Sequence, residues 1–351
     1  MHYLLIFIFV VNLFAINFDS YKSFNELKAD LKKENIQNKI ELEILSLIMN
    51  NDDKDANFLF KILKNPVLIK KDNKILDNVL YTEKNRYVIL VEKDLQRILL
   101  MYNGKTIKEA YMPCITGKKQ GDKFKEGDQK TPEGIYFPKT FIAQNRLSKI
   151  YGEGAFPLNY PNILDKRLYK KSGHGIWLHS TDNPNRKPFS SNGCVVLTKK
   201  YFDFVRHRID LKSTPVIIMD KFRFSDIKSH INEERSLGYF IYRWKRAWEK
   251  SVMGNIKEYK ELYSKHMVSI RGGYKQFMEY KKSVSSRKKW IKINLSDLYL
   301  LKDGRVLDYG RLYVAAFRMD YKSNNYDWKG RKVLYIIKDN GKWKILAEES
   351  L

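Results

Sequence analysis

Two side chains in this chain have the types and spacing for nucleophilic chemistry. Cys194 follows the small, polar turn Ser191-Asn192-Gly193 and opens the apolar run Val195-Val196-Leu197. His179 lies fifteen residues upstream, in Gly175-Ile176-Trp177-Leu178-His179-Ser180-Thr181. A free thiol has a pKa near ~8.5 and is only a few per cent thiolate at neutral pH. A neighbouring imidazole can take its proton, giving a thiolate–imidazolium pair, and return that proton to a departing amine. Gly193 permits a sharp turn and close approach of a carbonyl to the sulfur. The backbone N–H groups of Gly193 and Cys194 would then meet a developing oxyanion. The chemistry is acyl transfer through a thioester. A lone cysteine also packs as a small hydrophobe, so the pair alone leaves a structural role open.

The residues around the pair have both chemical and plain readings. Trp177 can wall a peptide groove or sit in the core, and Asn192 can bind substrate or simply make the turn. Arg186 and Lys187, in the loop between histidine and cysteine, can meet substrate carboxylates or be solvated. His174, flanked by glycines, reads as a turn histidine. Cys114, in Tyr111-Met112-Pro113-Cys114-Ile115, reads as a packed free thiol; a Cys114–Cys194 disulfide would block the nucleophile. With only these two cysteines, a disulfide scaffold and a multi-cysteine metal site are excluded, and no metal or cofactor is expected.

The segments that must position these residues differ along the chain. Residues 1–15, MHYLLIFIFVVNLFA, are apolar but shorter than the ~20 residues of a spanning helix, and they read as a signal peptide with Ala15 at the cleavage position. Residues 16–82 read as a helical region. Phe24, Leu27 and Leu31, then Ile40, Ile44, Leu47 and Ile48, then Phe58, Ile62 and Leu63 recur at helical spacing, and Pro66 breaks the pattern after them. So small a region packs on its neighbour or on a second copy, giving a homodimer. From residue 83 the texture is β-rich: Tyr87–Val91 and Arg97–Tyr102 flank the hairpin turn Asn103-Gly104. Further strands follow at Ala110–Ile115, Gly134–Pro138, Gly175–His179 and Cys194–Leu197, and a helix near Lys199–Arg208 and a strand Pro215–Met219 complete a mainly β domain ending near 222. Residues 223–351 read as a separate α+β domain. Helices carry Trp244, Trp248, Tyr259 and Tyr263, and long alternating segments span Trp290–Leu300, Arg305–Asp320 and Arg331–Ala347.

The 351 residues carry 66 Lys and Arg against 40 Asp and Glu, a formal charge of +26, and 43% are hydrophobic. That apolar fraction excludes a disordered chain. The charge favours an anionic partner, which is nucleic acid in the cytosol but an envelope polymer outside it. Export points to the second and to the periplasm.

Taken together, these motifs resemble the YkuD-type L,D-transpeptidase catalytic domain, a β-sandwich or barrel whose signature is a histidine, a variable loop and Ser/Thr-x-Gly-Cys. The resemblance covers about residues 85–220. It includes the Thr131-Pro132-Glu133-Gly134 hairpin and the stretch Ala155-Phe156-Pro157-Leu158-Asn159-Tyr160-Pro161-Asn162. It implies Cys194 as nucleophile, His179 as proton carrier, and the carbonyl of Ser180, at a position usually glycine, as the group that orients the imidazole. Asn192 stands where histidine is common, and Val196 replaces a frequent Arg or Asn; both bear on substrate preference. The three-part chain, ending in a nuclear-transport-factor-like α+β cone, is similar to the helical-cell-shape L,D-carboxypeptidases. The resemblance implies removal of the terminal D-Ala from murein tetrapeptide stems. L,D-transpeptidation of diaminopimelate residues is the alternative within the family, and a non-catalytic murein-binding module is the alternative outside it.

Overall fold

A computed structural model of the chain describes residues 43–44, 46–47, 50, 52–64, 70–71, 74–83 and 85–351. The segment 1–15, expected to be a leader, and the positions Phe24, Leu27, Leu31, Ile40 and Ile48, expected to be helical, lie outside the described residues, as does Pro66. The chain divides into two compact units, Met1–Asn65 and Pro66–Leu351. In the first, helix α1 (Asp53–Lys64) has Asp53 and Asp55 in its opening turn, where negative charge complements the helix dipole. It buries Ala56, Leu59 and Phe60, a three-and-four spacing that aligns them on one face.

The second unit opens with strands where the sequence reading expects a helical region to continue to residue 82. These are β1 (Lys70–Lys71), β2 (Lys74–Leu76) and β3 (Val79–Thr82). Val79-Leu80-Tyr81-Thr82 is too short to show a period, and its β-branched and aromatic residues suit a pleated, buried surface. Next come β4 (Tyr87–Glu92), β5 (Arg97–Tyr102) and β6 (Lys105–Pro113). Asn103 and Gly104 join the last two with φ of 50° and 69°, the paired positive values that a tight hairpin requires. β7 (Gly134–Tyr136), β8 (Ile142–Ala143), β9 (Gly154–Pro157), helix α2 (Ile163–Arg167), β10 (Trp177–Thr181), β11 (Val195–Thr198), helix α3 (Lys199–Arg206) and β12 (Val216–Met219) complete the catalytic region. Its sheets run β6-β5-β4-β12-β7 and β11-β10-β9-β8. Leu90, Leu100 and Ile217 of the first and Leu178, Val195 and Leu197 of the second share one buried cluster with Phe156 and Phe202.

The remainder is α+β. β13 (Phe224–Asp226) pairs with β2 and leads into helix α4 (Ile227–Glu249), capped by the Asp226 carboxylate, which accepts from Ser229 N at 3.0 Å; such caps satisfy an otherwise orphaned donor. Helix α5 (Lys257–Glu261), the short pair β14 (Val268–Ser269) and β15 (Gly272–Gly273), and helix α6 (Tyr274–Ser285) follow. Four long strands end the chain: β16 (Ile291–Leu307), β17 (Gly310–Ser323), β18 (Asp327–Asp339) and β19 (Lys342–Ser350). The run Arg305–Asp320, read as one segment, is broken at Asp308-Tyr309, so that Arg305 belongs to β16. The run Arg331–Ala347 is likewise split at Asn340-Gly341, both at positive φ. This sheet runs β19-β18-β17-β16-β3, so β3, ahead of the catalytic region in sequence, closes the sheet that comes after it. Two register shifts interrupt the β16–β17 ladder, at Ser296/Tyr299 and Lys302/Val306. Bulges of this kind bend a strand and re-aim its side chains. Tyr299, Val314 and Tyr335 of this sheet lie in the same apolar cluster as Leu90 and Leu178.

Candidate active site

Strand alternation puts Trp177, His179 and Thr181 on one face of β10. β11 runs parallel to β10, with Leu178 opposite Val195 and His179 opposite Val196. Cys194 immediately precedes β11, so the parallel register sets the sequence-expected pair on neighbouring strands. His179 is buried, and its Nδ1 lies 2.5 Å from the Ser180 carbonyl oxygen. A carbonyl only accepts, so Nδ1 carries the hydrogen and Nε2 is left as the basic nitrogen. This is the orienting contact expected of Ser180. Cys194 is half-buried and free, and its thiol donates to the Gly175 carbonyl at 3.5 Å.

The nucleophile's turn is tightly seated. Gly193 has φ of 128°, and a Cβ there would stand 2.7 Å from the Lys130 carbonyl oxygen. Ser191 Oγ donates to the Cys194 carbonyl at 2.7 Å and accepts from Gly193 N at 3.1 Å. The Gly193 N–H, expected to face an oxyanion, is therefore already engaged within the turn, and Gly193 acts here by shape. Lys118 N donates to Ser191 O at 2.9 Å, and Ser191 N to Thr116 O at 3.0 Å, which lays the turn on the segment following β6.

Electrostatics set the resting protonation. Burial pushes His179 down to about 4; the bond to Ser180 opposes this and the Arg186 cation adds to it. Burial pushes the Cys194 thiol up, while a hydrogen bond from the Trp177 backbone and the cations of Arg186 and Lys123 draw it back. Desolvation disfavours the charged form of both groups. Burial thus works against the thiolate–imidazolium pair expected from the sequence and favours a neutral thiol and a neutral imidazole. The arrangement can perform base-assisted attack, in which Nε2 takes the proton as the sulfur adds to a carbonyl.

The surrounding residues sort differently. Trp177 is partly exposed and packs against Tyr151, ring centroids 5.1 Å apart and planes tilted by 40°. Tyr151 in turn meets the His179 ring edge-on at 4.9 Å. Sequence reasoning missed Tyr151. Its one signal is the following glycine: Gly152, at φ 51°, approaches β10 so closely that a Cβ would stand 2.7 Å from Ser180 Oγ. Arg186 is half-buried, donating from Nε to Ser190 Oγ at 3.3 Å, and its charge reaches Cys194, His179 and Tyr151. Asn192 is exposed and accepts from Lys118 Nζ at 3.0 Å. Lys187 is exposed, and His174 lies at the surface 3.7 Å from the Glu126 carboxylate. Cys114 is buried and free, so no disulfide joins it to Cys194. No helix among the described residues is long and apolar enough to cross a membrane.

The C-terminal domain holds a cavity of about 260 Å³, lined among others by Trp248, Tyr259, Tyr326, Lys281, Lys288 and Lys332. Lys281 Nζ sits 4.2 Å over the Trp248 ring, and burial pushes it down to about 8. Burial works to raise Glu348, but Lys281 and Lys332 hold it down at about 2.

Similar proteins are known for both the catalytic region and the C-terminal domain. The family model for the L,D-transpeptidase catalytic domain, YkuD, matches residues 86–218, and that for the Cds6 C-terminal NTF2-like domain matches residues 236–349. Among solved structures, Bd1075 of Bdellovibrio bacteriovorus is 30% identical with a TM-score of 0.63, covering 79% of this chain and 98% of its own. The helical cell shape determining protein Pgp2 of Campylobacter jejuni is also 30% identical with a TM-score of 0.63, covering 84% of this chain and 99% of its own. No curated protein matches. The chain belongs to the YkuD family of L,D-transpeptidase-type cysteine enzymes, in the form that carries an NTF2-like domain after the catalytic one.

Proposed function

We propose that this protein is a murein L,D-carboxypeptidase that removes the terminal D-Ala from tetrapeptide stems and so influences cell shape. The observation that carries the reading is a half-buried thiol at the head of β11, the strand paired with that of a histidine whose Nδ1 is fixed on the Ser180 carbonyl, leaving Nε2 as base. Similarity along nearly the whole length of Pgp2, which is described as determining helical cell shape, supports the cell-shape role. Cys194 Sγ attacks the carbonyl between diaminopimelate and D-Ala while Nε2 of His179 takes the thiol proton. The C–N bond breaks, the same proton passes to the departing amine, and a thioester remains. Water, deprotonated by His179, then cleaves the thioester to give the tripeptide acid and the free thiol. With the Gly193 N–H engaged, oxyanion stabilisation falls to the Cys194 N–H. The Arg186 guanidinium suits the free carboxylate of the terminal D-Ala.

The substrate lies outside the cytoplasmic membrane, so the reading includes export through the apolar leader at 1–15, to be checked by fractionating cells for the mature chain. L,D-transpeptidation shares the first half-reaction and differs only in the acceptor, a diaminopimelate amine instead of water. Mass spectrometry of muropeptides incubated with wild type and Cys194→Ala separates these readings. Tetrapeptide converted to tripeptide plus D-Ala by wild type alone is the expected result. New diaminopimelate–diaminopimelate links would assign a transpeptidase. No change with either protein, despite tight murein binding, would leave a binding module.

A further inference from the structure

The nucleophile's turn rests on residues 116–131, and that segment is held from the far side by charges buried between the two domains. At the Lys302/Val306 bulge of β16, Arg305 leaves its own sheet and reaches the catalytic domain. Asp303 grips it twice, accepting from Nε at 2.9 Å and from NH2 at 2.8 Å. NH1 donates to Asp165 Oδ1 at 3.0 Å. Both carboxylates are fully buried, and Arg305 is 6% exposed. The guanidinium lies over Gly134, where a Cβ would stand 2.6 Å from NH2, so the Thr131–Gly134 hairpin leaves room for a side chain of the other domain.

Asp165 is also 3.4 Å from Lys171 Nζ, whose side chain is wholly buried. Lys171 Nζ bonds Asp122 Oδ2 at 2.6 Å and lies 5.2 Å from the Phe124 ring. The other oxygen of Asp122 accepts from Glu133 N at 2.8 Å. Asp122 and Phe124 belong to the segment whose Thr116 and Lys118 hydrogen-bond Ser191 and whose Lys130 carbonyl faces Gly193.

We propose that Arg305 is a positioning residue for the reaction. Through Asp165, Lys171 and Asp122 it fixes the segment 116–131, and with it the turn that presents Cys194. The C-terminal domain thereby completes the catalytic site without touching the reacting atoms. Charged groups taken out of water hold one geometry only while every partner is present, which gives the chain of contacts its stiffness. The proposal rests on Cys194 and His179 being the reacting pair, and not on which peptide they cleave.

The test uses the full chain and two readouts that need no murein: hydrogen exchange by peptide, and the rate of Cys194 alkylation by iodoacetamide at pH 7. The paired variant Asp303→Asn/Arg305→Met removes one charge of each sign. It is expected to speed exchange in 116–131 and 189–194, leave 87–102 protected, and slow alkylation about tenfold. Arg305→Lys should recover part of that loss. Asp122→Asn breaks the chain of contacts at its half-buried far end and should give the same local exchange signature even where the paired variant does not fold. Unchanged exchange in 116–131 with Asp122→Asn overturns the proposal. So does exchange that rises equally in 87–102 and 116–131 in the paired variant, or alkylation within twofold of wild type. A wrong substrate assignment would instead appear as absent muropeptide turnover by wild type, with these responses intact.

Discussion

The ionisation states of two side chains decide how this site reacts. His179 must be neutral to accept a proton, and burial keeps it so down to about pH 4. Cys194 is held as a thiol by burial, so no ion pair has to form before attack. With the depressed value on the base, activity is present above about pH 4 and lost as pH falls through it. The rate of turnover against pH should therefore be flat from about pH 5 into the weakly alkaline range. Alkylation of Cys194 should inflect only above the ordinary thiol value of about 8.5. An inflection below pH 7 would show a resting thiolate and contradict the neutral pair. Cys114 does not confuse the measurement, because burial pushes its thiol up as well.

At the scale of elements, the parallel pairing of β10 with β11 does the positioning, and it depends on how closely backbones approach. Gly193→Ala puts a methyl against the Lys130 carbonyl at a φ of 128°, a conformation that costs a side chain on the order of 1–3 kcal/mol. The expected outcome is a folded protein whose turnover falls at least tenfold and whose Cys194 alkylation slows. Turnover within twofold of wild type would show that the turn has slack. Much of this level is legible in the sequence. Asn103-Gly104 announces its hairpin because both residues tolerate positive φ, and the His179 and Cys194 segments carry their turn and strand chemistry locally. Tyr151 is barely legible, since the glycine after it marks a turn but does not say that the turn folds back onto Trp177 and His179. Arg305 is hidden for a similar reason: in sequence it is one charge in an alternating strand, and only the bulge turns it toward Asp165. Val79–Thr82 reads as the end of a helical region because four residues show no period, and its partner strand lies far along the chain.

At the scale of the molecule, the catalytic sheets and the NTF2-like sheet share one apolar core that includes Leu90, Leu178, Val314 and Tyr335. Burying a large apolar side chain contributes about 1.5–3 kcal/mol, and net stabilities are only about 5–15 kcal/mol. Exposing several such residues is enough to unfold the remainder. Residues 83–222 expressed alone should be insoluble or show no cooperative melt, whereas the full chain should unfold residues 66–351 in a single transition by calorimetry. A stable, soluble 83–222 fragment would refute the shared core as a source of stability.

The placement of β3 bears on how the protein is made. Thr82 pairs with Tyr299, so the whole catalytic domain is synthesised between one strand and its partner. At roughly 5–20 residues per second, Val79–Thr82 waits on the order of tens of seconds with an unmatched edge. An edge left open is a template for another chain. Wherever the chain folds as it emerges, it is therefore most exposed to wrong partners before residue 299 arrives, and slowing its emergence should raise its tendency to clump.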